Sequence, residues 1–296
     1  MRVAFLIDRE ALGGGCEYIR RKCAELPAGD EGRAFYSSRG ECTPDTLCAW
    51  GAERVVVNHL RAAVQLLLGS PLRKQVRPVF SRGIEFVVHG IHLRKYDFLP
   101  RTPANRVKRW LRRRLESWLY HRCDRIVALT PTDAADIKRL YGEDLHVVVE
   151  PNTLGDWTPV DMKSDYNGET FEHVFIGRFN FQKGQDRWLR HLTEHPEVPG
   201  RTLFIGDGET LVECRRFAEE HGLVDRVVFA GAIPEAERYL PCARHVVSTS
   251  RWEGMPYLLM KAVACGCDII ATDCPGNRDV LQGYAKWTVF REGEES

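Results

Sequence analysis

The chain has 296 residues, 44% of them hydrophobic and 28% charged, with 25 Gly and 15 Pro. That balance excludes a disordered chain, a collagen-like repeat and a coiled coil, and it supplies enough apolar side chains for one large core or two smaller ones. With 42 basic against 41 acidic residues the net charge is +1, so no overall field marks a nucleic-acid binder, and any basic patch has to be local.

Short Val- and Ile-rich runs bounded by Gly, Asn or Asp recur along the chain. They are Val3–Ile7, Val55–Val57, Ile84–Val88, Ile126–Leu129, Leu145–Val149, Val174–Ile176, Thr202–Ile205, Val227–Phe229, His245–Ser248 and Asp268–Ala271. None alternates polar with apolar residues, so they read as strands covered on both faces in parallel sheets. Helical patterns fall between them at Arg106–His121, Pro131–Leu140, Thr210–His221 and Pro256–Cys265. The class is α/β. The rhythm breaks in the turn-rich residues 150–159 and the polar stretch up to Glu172, then restarts at Val174. This predicts an N-terminal domain over 1–150, a linker over 151–172 and a C-terminal domain over 173–296. Ligands of such folds sit at strand carboxyl ends, so two domains facing each other would enclose a cleft.

The ten cysteines contain no CxxC pair and read as reduced thiols of a cytoplasmic protein. Cys265-Gly-Cys267 alone is too little for zinc. The run Val3–Ile7 is too short for a secretory signal, and no stretch reaches the roughly 18 apolar residues of a membrane span. A soluble or peripheral protein is expected.

Several strand ends carry residues suited to phosphate chemistry. Gly13, Gly14 and Gly15 precede a helical pattern, where backbone N–H groups can approach an anion, although a plain tight turn reads equally well. The dinucleotide pattern GxGxxG is not met, because Tyr18 stands in the third glycine's place. Gly177-Arg178 and Lys183-Gly184 follow another strand; two cations at a strand end make a diphosphate clamp, or else an ordinary solvated loop. Glu253 and Gly254 lie just before a helix whose first position suits Pro256. Ser250-x-x-Glu253 could also be read as a capping box.

In order, these motifs resemble glycosyltransferase family 4, the retaining nucleotide-sugar transferases of the GT-B fold. Gly14-Gly15-Cys16-Glu17 is similar to the family's GGxE loop, Val88-His89-Gly90 to its VHG strand end, and Pro151-Asn152 to its hinge. Gly177-Arg178 with Lys183-Gly184, Gly206-Asp207-Gly208, and Trp252-Glu253-Gly254 through Gly266 resemble its GR…KG clamp, GDG turn and EX7E segment. The resemblance covers about residues 1–285 and implies two Rossmann-like domains facing a central cleft, with a shortened C-terminal end. It implies transfer of a sugar from a nucleotide-diphosphate donor to a glycan or lipid-linked acceptor, with retention, in surface polysaccharide or glycolipid biosynthesis. No cofactor and no catalytic metal are expected.

Residue by residue, the resemblance places Arg178 and Lys183 on the donor diphosphate, with Gly14, Gly15 and Gly177 beside it. Glu253 would hold the donor sugar, backed by Gly254, Met255 and Tyr257, and His89 would stand near the anomeric centre. Together His89, Arg178, Lys183 and Glu253 form the catalytic set. His59 and His92 are candidates for acceptor contact.

Two departures stand out. The family's second glutamate is replaced by Lys261, which offers only donors where a carboxylate would accept from a ribose diol. Lys261 either contacts phosphate or pairs with Glu253, or else faces solvent at a differently tuned site. The chain also stops at Ser296, earlier than most relatives, which leaves open a compact variant or a truncation. A catalytically weakened scaffold is therefore one rival reading, and a GT-B epimerase or phosphorylase another.

Residues 94–125 are rich in Arg and Lys. Within them Val107, Trp110, Leu111, Leu115, Trp118 and Leu119 fall on one helical face. One reading packs that stripe on the first domain beneath a solvated basic face, another docks the segment on an anionic membrane surface, peripheral to the inner face, and both can hold together.

Overall fold

A computed structural model describes residues 1–8, 14–68 and 80–292. The chain forms two compact units, Met1–Thr153 and Leu154–Ser296, each built on a six-stranded parallel sheet. The first sheet contains β1 (Arg2–Ile7), β2 (Glu31–Tyr36), β3 (Arg54–Val57), β4 (Ile84–Val88), β5 (Arg125–Ala128) and β6 (Val147–Val149), in the order β2-β1-β3-β4-β5-β6. The second contains β7 (Phe171–Ile176), β8 (Thr202–Ile205), β9 (Val227–Gly231), β10 (Ala243–Ser248), β11 (Asp268–Thr272) and β12 (Trp287–Phe290), in the order β12-β11-β10-β7-β8-β9.

Burial on both faces explains the unbroken apolar runs. All five residues of β4 are buried, and in the second unit neighbours along a strand serve opposite cores. Val174 and Val246 join Leu203, Leu259 and Ile269 in one cluster, whereas Phe175 and Val247 join Trp188, Leu189 and Phe204 in another. Pairing in register, for example Phe5 with Val56 and Val174 with Leu203, puts like residues side by side on each face.

Local signals set the helix ends. The helix Pro103–Tyr120 starts three residues before the expected Arg106 because Thr102 caps it, accepting from the Asn105 N–H, and Pro103 takes the first turn. Thr130 and Pro131 do the same for Pro131–Tyr141. Pro256 is a correction: it is the N-cap residue, with ψ 117°, and the helix runs Tyr257–Ala264.

The basic segment supplies a second correction. Of its apolar stripe, only Leu119 is fully buried and Trp118 packs partly on the first core; Val107, Trp110, Leu111 and Leu115 are exposed. The face turned inward carries Glu116, Leu119 and Tyr120 instead. Among the described residues no helix is long and apolar enough to cross a membrane.

Candidate functional site

The order of the second sheet creates its site. From β7 the chain moves to β8 and β9 on one side and then to β10, β11 and β12 on the other, so the carboxyl ends of β7 and β10 mark the topological switch point, where open α/β sheets take their ligands. Arg178 and Lys183 follow β7, and Glu253 follows β10. Lys183 Nζ donates to Glu253 Oε1 at 2.7 Å, and the same oxygen accepts from Ser250 Oγ at 2.6 Å. Glu253 is buried, while the Lys183 side chain keeps 29% of its exposure. The contact between Ser250 and Glu253 is thus side chain to side chain, well ahead of the helix start, and not a capping box.

Arg178 is exposed and has no ionic partner among the described residues; its carbonyl accepts from Gln185 Nε2 at 3.0 Å. The Gly177 N–H donates to Ile205 O at 2.9 Å and is therefore committed to the sheet. Tyr257 is buried at the first turn of its helix, and Gly254 is buried in the loop before it, beside half-buried Met255. No side chain caps this helix.

The two loops are stitched together by residues that the motif reading passed over. The Arg251 N–H donates to Gln182 O at 2.8 Å, and Gln182 Nε2 returns a bond to Trp252 O at 2.9 Å. The Arg251 guanidinium binds Asp186 through two bonds of 2.9 and 2.6 Å and lies 4.1 Å from the Phe181 ring centroid. The Asp186 carboxyl, which burial pushes up, is nevertheless held below its ordinary value by this guanidinium. Asp186 and Arg251 stand 65 residues apart in the chain, so no local pattern announces the pair and their convergence depends on the fold.

Two glycines let backbones meet here. A Cβ on Gly206 would lie 2.0 Å from Gly177 O, and one on Gly276 would lie 2.2 Å from Gly254 O. No side chain fits at either distance.

Lys261 departs from two of its expected roles, the pair with Glu253 and the solvent-facing position. It is buried, so the solvent-facing reading fails, and Glu253 takes its ionic partner from Lys183. Lys261 Nζ instead donates to Glu237 Oε1 at 2.7 Å and lies 5.5 Å from the Trp157 ring centroid. Burial pushes the Glu237 carboxyl up, but the Lys261 hydrogen bond and charge outweigh it and hold the carboxyl below its ordinary range. Burial alone would have left this lysine unstable; Glu237 is the residue that accommodates it.

In the first unit the order β2-β1-β3 places the switch point between β1 and β3. Gly14 and Gly15 open the helix Gly14–Ala24 beyond β1, and Gly13 lies outside the described residues. His89 follows β4. Its Nε2 lies 3.0 Å from Asn58 Oδ1, and Asn58 Nδ2 donates to Val56 O at 3.2 Å. That second bond fixes the amide orientation, so Oδ1 is an acceptor and His89 Nε2 carries the proton. Nδ1 is left as an acceptor. Burial, helped by nearby His59, lowers the His89 pKa to about 4, so the ring is neutral at physiological pH. Tyr18 meets it edge-on, with ring centroids 5.0 Å apart. His59 lies just before the helix Leu60–Leu68, and its Nδ1 accepts from the Arg61 N–H at 3.3 Å. His92 is exposed and opens the 3-10 helix His92–Asp97.

Among the described residues no group of three or more His, Cys, Asp or Glu side chains is placed to hold a metal ion. The chemistry on offer is an exposed guanidinium and a part-buried ammonium at one strand end, a carboxylate bound to that ammonium, and a neutral imidazole at a strand end of the other unit.

Residues 170–295 match the family model described as glycosyl transferases group 1. The second unit belongs to the glycosyl transferases group 1 family. The match also supports the resemblance to glycosyltransferase family 4 drawn from the motif order, and a relative that covers 68% of the chain extends it beyond this domain. The Vi polysaccharide biosynthesis protein VipC/TviE of Salmonella typhi is 29% identical over 127 residues, covering 42% of this chain and 21% of that protein. A UDP-Gal:alpha-D-GlcNAc-diphosphoundecaprenol alpha-1,3-galactosyltransferase of Escherichia coli is 24% identical over 215 residues, covering 68% of this chain and 54% of that one. The chain thus spans about half or less of the curated relatives' length. The structure of Anabaena Alr3699/HepE in complex with UDP and glucose aligns over 99% of this chain and 86% of that one, with a TM-score of 0.71 and 16% identity. That likeness shows the fold, the two-sheet α/β architecture of GT-B glycosyltransferases.

Proposed function

We propose that the chain transfers a sugar from a nucleoside diphosphate to a glycan or lipid-linked acceptor, retaining the anomeric configuration and using no metal. The observation that carries this reading is the meeting of Lys183 and Glu253 at the switch point of the glycosyltransferase domain, with Arg178 exposed on the same loop. The ammonium and guanidinium offset the charge that builds on the departing diphosphate, a task a metal would otherwise fill. The first-turn N–H groups of the helix Tyr257–Ala264, which has no side-chain cap, add a positive end suited to phosphate. Glu253 has Oε1 bound to Lys183 and Ser250 and presents Oε2 to a sugar hydroxyl. In the first unit, neutral His89 offers Nδ1 to a hydroxyl of sugar or acceptor.

The bond from the anomeric carbon to the diphosphate breaks as a bond to the acceptor oxygen forms, the acceptor's hydroxyl proton passing to the departing diphosphate oxygen, and positioning rather than a strong base supplies the rate. Retention follows from the resemblance to family 4. A uridine diphosphate hexose is the first donor to try, since one relative is named for UDP-Gal and one structural neighbour holds UDP and glucose. The relatives' names, a polysaccharide biosynthesis protein and a diphosphoundecaprenol-linked galactosyltransferase, favour a polysaccharide or lipid-linked product. The buried thiols of Cys42, Cys214 and Cys242 are reduced, in keeping with work in the cytoplasm.

The test is release of nucleoside diphosphate from a panel of sugar nucleotides, with NMR of the product's anomeric proton. Arg178→Ala should lower kcat about a hundredfold or more. If no sugar nucleotide is turned over, or if both Arg178→Ala and Lys183→Ala keep full activity, the reading fails.

A further inference from the structure

The helix Pro103–Tyr120 presents opposite faces to the core and to water. Inward, Glu116 accepts from Arg112 Nε and Tyr141 Oη, each at 2.5 Å, next to Leu119 and Tyr120. Outward, at helical spacing, Val107, Trp110, Leu111 and Leu115 keep 56%, 57%, 54% and 37% of their exposure. Arg106, Lys108, Arg113 and Arg114 border this ridge and are exposed, and the Arg114 guanidinium lies 5.4 Å from the Trp110 ring centroid. No Asp or Glu occurs between residues 98 and 115. Beside the start of the helix lies a cavity of about 550 Å³, lined by Tyr96, Arg101, Asn105, Arg106 and Arg109 among others. Asp97 neutralises Arg109 at 2.6 Å, while Arg101 and Arg106 have no ionic partner among the described residues.

We propose that this face docks the protein on an anionic phospholipid surface. Val107, Trp110 and Leu111 enter the boundary between headgroups and acyl chains, Arg106 and Lys108 meet lipid phosphates, and the cavity beside Arg101 takes a headgroup. An apolar ridge with an indole, set among cations, is the composition that such an interface selects. Charge decides between occupants. A second copy would set this cationic face, offset only in part by Asp97, against itself, whereas an anionic leaflet complements it. The surface belongs to the first unit and stands apart from the transfer reaction.

The experiment is co-sedimentation of the full chain with vesicles of phosphatidylcholine, alone or mixed with phosphatidylglycerol, at low and high salt. Binding to the mixed vesicles only, weakened by salt, is expected. Arg106→Gln/Lys108→Gln should reduce partitioning about twenty-five-fold, at about five-fold for each cation, and Trp110→Ser/Leu111→Ser should abolish the blue shift of tryptophan emission on binding. The four side chains are on the surface, so unchanged circular dichroism melting certifies each variant. Three results would overturn the proposal. One is absence of binding to the mixed vesicles at low salt, and another is full binding by both variants. The third is a lipid-free dimer that Trp110→Ser/Leu111→Ser dissolves.

Discussion

Lys183 Nζ lies 2.7 Å from Glu253 Oε1, and this one bond ties the loop after β7 to the loop after β10. The pair is asymmetric, because the carboxylate is the more deeply buried partner. Lys183→Ala leaves that carboxylate with only Ser250 and should cost about 2 kcal/mol, reduced from the value of a fully buried pair by the lysine's exposure. Adding Glu253→Gln should recover part of the loss. Urea unfolding of the two single variants and the double variant measures the coupling, and strictly additive losses would show that the bond contributes nothing.

The pairing of Lys261 with Glu237 predicts an unusual response to charge reversal. Lys261→Glu sets two carboxylates at hydrogen-bond distance, which should cost about 2 kcal/mol at neutral pH and be relieved as the pH falls and one of them protonates. Lys261→Met should let the Glu237 carboxyl titrate upward, towards the value that burial favours. In the native protein Glu237 is held below its ordinary range, so its contribution to stability is present above that range and lost as pH falls through the lowered value. Carbon-detected NMR titration of Glu237 in the native and Met variants checks the shift.

His89 carries a pH signature of the opposite origin. Its folded pKa of about 4 lies below the ordinary 6.5, so the unfolded chain binds more protons between these values and stability declines as pH drops from 6.5 towards 4. His173, lowered to about 3 by burial first and by nearby His245, adds to the same decline. Asn58→Asp puts a carboxylate against His89 Nε2 and should raise its pKa. Proton NMR of the ring reads this directly, and a flatter stability profile in that window should accompany it.

Gly276 tests the close approach of backbones. Gly276→Ala drives a methyl group to 2.2 Å from Gly254 O and 2.7 Å from Glu253 O. A loss of about 3 kcal/mol is expected, together with weaker retention of nucleoside diphosphate in calorimetry. Unchanged melting and binding would mean that the loop yields freely.

Much of the fold is legible before any coordinates, because central strands such as Ile84–Val88 and Thr202–Ile205 are apolar on both faces. The edge strands β2 and β12 are not legible, although β6 and β9 at the opposite edges are. Glu31-Gly-Arg-Ala-Phe-Tyr forms β2 through its backbone pairing with β1, while its partly exposed, polar side chains conceal it. The stripe at Val107, Trp110 and Leu111 is visible as a pattern, yet a helical period cannot say which face meets the core; the buried network of Glu116 with Tyr141 decides it. Likewise Lys261 stands out as a departure, but its partner arrives from 24 residues away, on a short 3-10 segment that no periodicity announces.

Lys183 and Glu253 are separated by 70 residues of chain, and only the crossover that sets β10 beside β7 unites them. A refolding chain can therefore regain helices and local turns while still lacking the contact on which the proposed diphosphate site rests. Contacts of such long sequence separation form slowly, so recovery of ligand affinity should trail the ellipticity signal, making the late assembly of the sheet centre the step on which competence depends.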